Sequence, residues 1–188
     1  MSALLAEKKV KFKDAASAVA WAEEMLDRSG GVQSQIGNMT RVPGAGDFTM
    51  PELYDQALSI SMAAQKVKHP VGVFFAQMFG RDDAMRRMEI CGAMVAWMRS
   101  TYVVADGKHH LQFVNLMDTL LRGYRSYILL GKRQRLSDVA CSIGVTRENL
   151  KDDGWLDIIK AARDKFDAWL DIGERELCDI LNERGFIA

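Results

Sequence analysis

The feature that most limits the fold of this chain is one long apolar stripe near its C-terminal end. Leu156, Ile159, Ala162, Phe166, Trp169, Gly173, Leu177 and Ile180 recur at steps of three or four, the repeat that gathers side chains on one face of an α-helix. A helix over residues 156–184 is roughly 43 Å long. Its stripe needs an apolar surface of matching length. Laying the helix across the chain's own domain supplies one, pairing it with a second copy supplies another, and the spacing leaves both open. Gly185 provides the stop, and Phe186 can fold back onto the last turn.

The remainder of the chain is patterned the same way. A first helix is expected from Asp14 to Arg28, with Phe12, Ala16, Val19, Glu23 and Leu26 on its inner face and Ser29-Gly30-Gly31 ending it. Gly30 to Asp47 is a long irregular stretch, either a partner-contacting arm or an idle surface loop. Thr49-Met50-Pro51-Glu52 is a helix start, with a capping hydroxyl, a glutamate three residues on and a proline in the first turn. Leu53, Ala57, Ile60, Ala64 and Val67 come next as its buried face, and His69-Pro70 is expected to stop it. Val71–Phe79 is short and apolar. Asp82 is expected to cap the next helix, in which Ala84, Met88, Cys91, Val95 and Met98 form a stripe. Ile90, Met94 and Trp97 widen that stripe, which predicts a central helix buried on two sides. Tyr102-Val103-Val104 reads as a short extended piece and Asp106-Gly107 as a turn. From His109 to Leu130 the helical pattern returns, with Leu111, Val114, Asp118 and Leu121 inward, Gly123 as a bend or split, and Gly131 as the end. The expected fold is therefore all-α: a multi-helix bundle in two regions, 1–107 and 108–188, packed separately or as one domain.

Composition narrows the function classes. At 48% hydrophobic and 27% charged residues, the chain is globular rather than disordered. Cys91, Cys141 and Cys178 are odd in number and far apart, so they are expected to be buried thiols in a reducing cytosol and not a disulfide framework. Ala3–Ala6 is too short for the core of a signal peptide, and no apolar run approaches the ~20 residues that span a bilayer. A cytoplasmic protein is expected. His69 and the pair His109-His110 lack cysteines or carboxylates at metal-ligand spacing, and no serine sits in a nucleophile elbow. The sequence names no catalytic residue, metal or cofactor.

Charge is distributed unevenly. The net charge is zero, yet residues 120–151 carry seven bases against two acids and residues 152–188 carry ten acids against five bases. Within the basic part, Lys132-Arg133-Gln134-Arg135 precedes Leu136 to Lys151, a segment with the spacing of a helix-turn-helix. Ala140 stands where two helices cross closely. Gly144 stands where the turn favours a positive φ. Val139, Ile143 and Leu150 make a small wedge-shaped core, and Thr146 can cap the second helix. That arrangement presents Arg147, Glu148, Asn149 and Lys151 at the end that enters the major groove in proteins so built. Arginine pairs with guanine and asparagine with adenine. Arg133, Arg135, Thr146, Arg147, Asn149 and Lys151 are the candidate contacts with double-stranded DNA, and Arg122, Arg125 and Lys132 the candidate phosphate contacts. Asp152-Asp153-Gly154 predicts an unusually short second helix.

The basic run, the helix-turn-helix spacing, and a following helix with Ala168-Trp169-Leu170 and Glu174-Arg175 together resemble bacteriophage regulators of late transcription in the antitermination (Q-like) group. The resemblance covers residues 111–181, without the zinc-binding cysteines that some of those proteins carry. It implies a DNA-binding regulator that engages RNA polymerase through its N-terminal two-thirds. A helical adaptor or inhibitor of a host protein, and a small DNA-packaging subunit, are the other classes consistent with these residues.

Overall fold

A computed structural model of the protein describes residues 9–29, 48–101, 110–152 and 154–187. They form eight helices: α1 (Ala15–Ser29), α2 (Met50–Ala64), α3 (Val71–Phe79), α4 (Ala84–Thr101), α5 (His110–Leu130), α6 (Leu136–Ser142), α7 (Asn149–Asp152) and α8 (Trp155–Glu183). The expected loop between α1 and α2, the extended piece at 102–104, the turn at 106–107, and His109 lie outside the described residues.

The long stripe is used within the chain. Trp155, Ile159, Ala162, Phe166, Trp169, Gly173, Leu177 and Leu181 of α8 are buried, so Leu156 and Ile180 give way to their neighbours at either end as the stripe drifts round the helix. Self-pairing through this stripe is thereby displaced, since the bundle already covers it. Short α3 supplies the opposing surface. The Phe74 ring stacks on Phe166 at 5.4 Å and meets Trp169 edge-on at 5.6 Å, while Tyr124 of α5 closes on Phe166 at 5.4 Å. Offset and edge-on contacts of this kind add to what burial alone contributes. Gly173 permits the close crossing: a Cβ there would lie 2.8 Å from Cδ2 of Phe75.

The first and last described segments meet beside this core. The amide of Phe12 donates to Phe186 O at 2.8 Å, and the Phe12 ring packs on Trp21 at 5.2 Å. Gly185, with φ +73°, turns the end of α8, and Phe186 folds back to 1% exposure. Buried residues run as one cluster from Val10 to Phe186, across both regions inferred from the sequence.

Several inward faces differ from those expected. In α1 the buried residues are Ala15, Ala18, Val19, Trp21, Ala22 and Met25, with Ala16 and Leu26 only partly covered. Glu23 leaves the apolar face to pair with Arg86 at 2.7 Å. Helix α2 closes at Ala64, short of His69, and Val67 is buried from the turn beyond it. Helix α4 is peripheral. It buries Ile90, Cys91, Met94, Val95 and Met98, while Met88 is 67% exposed, because α3 takes the central position instead. In α5 the inner face is Phe113, Leu116, Met117, Leu120, Leu121 and Tyr124, and Leu111 points outward. Gly123 does not break α5. It leaves room for Gln134, whose side-chain amide donates to Thr119 O at 2.7 Å.

A polar network ties α3 to α4 and α5. Gln77 is fully buried; its Nε2 donates to Asp82 at 2.7 Å and its Oε1 accepts from the Asp83 amide at 3.2 Å. The cap of α4 is Asp83, which accepts from the Arg86 amide at 2.9 Å, so Asp82 is freed to pair with Arg87. Burial pushes the Asp82 carboxyl up, but the hydrogen bonds from Arg87 and Gln77 outweigh it and hold its pKa below the usual carboxylate range. The hydrogen bonds from Ser17 likewise lower Asp14. Groups depressed in the folded state stabilise it above their unfolded pKa and lose that contribution as pH falls through the folded value.

Gly173→Val should cost about 1–3 kcal/mol by overpacking against Phe75, read as a lower midpoint in urea with an unchanged slope. Stability should be flat from neutral pH down to about 5 and fall below about 4, measured as the urea midpoint across that range.

Candidate nucleic-acid interface

The segment from Gly131 to α8 is built on α5. Val139, Ala140, Ile143 and Leu150 are all buried, and behind them the Phe113 and Trp155 rings pack at 5.3 Å. Ala140 O accepts from the Val145 amide at 3.0 Å, and Gln112 of α5 donates to Ile143 O at 2.9 Å, pinning the turn to the bundle. Gly144 takes φ +70° with no atom near its missing Cβ, so the need for glycine here is conformational and not spatial. Thr146 caps α7: its Oγ1 accepts from the Asn149 amide at 3.1 Å and donates to Asn149 Oδ1 at 3.0 Å.

Helix α7 is four residues long, which is about 6 Å of axis. Gly154, at φ +74°, then turns the chain into α8. Two helices and a tight turn are therefore present, with the second reduced to one turn. Arg147, Asn149 and Lys151 stand exposed around that turn, and the Asn149 side-chain oxygen is already engaged by Thr146.

The candidate cations separate into two groups. Lys132, Arg133 and Arg135 are exposed on the connection into α6. Together with Arg147 and Lys151, they have no hydrogen-bond or ion-pair partner among the described residues. Arg122 instead pairs with Asp118 at 2.9 Å. Arg125 donates to Gln77 O at 2.8 Å and Gly80 O at 2.6 Å, at the carboxyl end of α3 where a cation is favoured by the helix dipole. Neither is a free cation, and both lie on the side of α5 that faces α3 and α4. The surplus positive charge available to a ligand is consequently narrower than residues 120–151 suggest.

Arg133 shares a cleft of about 350 Å³ with Tyr127, Gln134, Arg163 and Asp167. Nothing in the sequence linked Arg163 to the basic run, because thirty residues of chain separate them. Asp167 is held at the cleft by the Tyr124 hydroxyl, which donates to it at 2.5 Å; burial, and then this bond, push the tyrosine pKa up. Among the described residues no His, Cys, Asp and Glu side chains gather into a metal site, and no helix is long and apolar enough to cross a membrane.

The cysteines are not uniformly buried as expected. Cys91 is buried and Cys178 half-buried, but Cys141 lies on the outer face of α6, whose inner face is taken by Val139 and Ala140. Burial pushes the Cys91 thiol up to about 12. A maleimide should therefore label Cys141 rapidly in the native protein and reach Cys91 only on unfolding, as followed by mass spectrometry of peptides. No family model, curated protein or solved structure matches this chain.

Proposed function

We propose that the protein binds double-stranded DNA through residues 131–151 and acts as a regulator of transcription. The observation that carries this reading is where the unspent arginines lie. Arg81, Arg86, Arg87, Arg99, Arg122 and Arg125 are all engaged by side chains or carbonyls of the same chain. Arg133, Arg135 and Arg147 are not, and neither are Arg163 and Arg175 of α8, but the first three, with Lys132 and Lys151, crowd onto one short segment anchored to the core. Phosphate groups supply the missing partners, and release of counterions drives that association.

The one-turn α7 shapes the kind of recognition. Most affinity comes from phosphates, with base reading limited to Arg147, Lys151 and the free amide nitrogen of Asn149. The resemblance to antitermination regulators supports RNA polymerase as a second partner on the N-terminal surfaces. The shortness of α7 also favours one other reading, a helical adaptor in which this motif only packs.

Titration of a duplex at several salt concentrations separates the two. The DNA reading expects a steep loss of affinity with salt, the slope falling by about 0.9 for each cation removed in Lys132→Ala, Arg133→Ala and Arg135→Ala. Arg147→Ala should chiefly flatten preference among sequences. Absence of salt-dependent binding by the wild type overturns the reading in favour of the adaptor.

A further inference from the structure

Two elements far apart in the sequence each bring a guanidinium to the cleft beside α5: Arg133 from the connection into α6, and Arg163 from α8. Neither has a hydrogen-bond or ion-pair partner among the described residues. Arg163 is also half-buried. A cation partly withdrawn from water without a counter-charge is disfavoured, and two cations lining one cleft repel each other. A bound anion relieves both penalties.

The chain holds its own candidate counter-charge away from them. Asp167 lies four residues after Arg163 on α8, the spacing at which opposite charges pair along a helix. It forms no ion pair with Arg163. Its carboxylate instead accepts from the Tyr124 hydroxyl at 2.5 Å, and the Tyr124 ring is fixed in the core by Phe74 and Phe166. Gln134 is turned inward as well, to Thr119 O at 2.7 Å, which anchors the backbone beside Arg133. Two arginines against one carboxylate leave the cleft with a single surplus positive charge.

A phosphate group matches this arrangement better than a carboxylate does. One guanidinium fork fills both oxygens of a carboxylate, whereas a phosphate offers further oxygens to a second fork. The Tyr127 hydroxyl, without a partner among the described residues, is one more donor at the same cleft. We infer that the cleft seats one phosphate group between Arg133 and Arg163. On the proposed DNA reading, on which this step rests, that phosphate belongs to the backbone of the duplex, and the DNA track continues from residues 131–151 onto α8. A free phosphate is the other source of the same chemistry.

Two titrations of the full chain test the site and its source separately. Inorganic phosphate, followed by NMR of the arginine side-chain Nε–H groups, should shift Arg133 and Arg163 along one saturable curve. Arg175, exposed and unpaired elsewhere on α8, should stay still. Arg133→Ala should weaken the binding seen at Arg163 by about ten-fold. Asp167→Asn keeps an acceptor for Tyr124 but removes the opposing charge, and should tighten it by about two- to five-fold. Circular dichroism should show each variant folded. Equal shifts at Arg133, Arg147, Arg163 and Arg175, or no shift, overturn the inference. Duplex titration at several salt concentrations then gives the source. Arg163→Ala should weaken duplex binding by about ten-fold, and Arg175→Ala should leave it unchanged. A wild type that binds duplex no better than Arg163→Ala overturns the extension of the DNA track onto α8 and assigns the seat to free phosphate. A wild type without salt-dependent duplex binding overturns the DNA reading itself, and the inorganic phosphate titration alone decides the cleft.

Discussion

The seating of α3 across α8 is the contact on which the rest of the structure depends. Phe74 and Phe75 reach α8 at Phe166, Trp169 and Gly173, and the glycine allows an approach that any side chain would obstruct. Because α3 occupies the middle, α4 moves to the periphery and α5 packs between α3, α4 and the following segment. The polar groups freed by this arrangement are satisfied locally. Arg125 holds the carbonyls at the end of α3, and Gln77, buried in the same helix, joins Asp82 to the amide of Asp83. Buried polar groups so completely paired fix the relative placement of the helices.

That placement is what positions the basic segment. Residues 131–135 are held against α5 by Gln134, and the turn at Gly144 is held by Gln112. The exposed cations thus sit on backbone anchored at both sides, which limits the entropy lost when a polyanion binds. Helix α7 ends after one turn, where Gly154 redirects the chain into α8, which leaves little helix for the base reading proposed here. On the proposed DNA reading, firm phosphate contact and shallow groove contact would follow from one geometry.

Elements marked by local chemistry were legible in the sequence. Glu52 does reach back to the Thr49 amide at 2.7 Å, α3 runs from Val71 to Phe79, and Gly131, Gly144 and Gly185 all take positive φ. The short second helix was also legible, from Asp152-Asp153-Gly154. Faces were less legible. In α1, α4 and α5, apolar residues occupy more than one side, and tertiary contacts alone decide that Met88 and Leu111 face outward while Met25 and Phe113 face in. Charges were least legible. Arg125 and Arg133 look alike in sequence, but the partner of Arg125 lies 48 residues away, a distance that no local pattern reports. The site therefore kept its turn, its cap and its basic run, lost Arg122 and Arg125 to internal partners, and gained Arg163 as a neighbour.

Residues 131–151 are the surface proposed to meet DNA, and the proposed regulatory role rests on that placement. Backbone amide shift mapping by NMR, on adding a short duplex at low salt, tests it without any substitution. Perturbations should concentrate at Lys132–Arg135 and Thr146–Lys151, with α1 and α2 unaffected. Perturbations centred on any other surface, or none at saturating duplex, would contradict it.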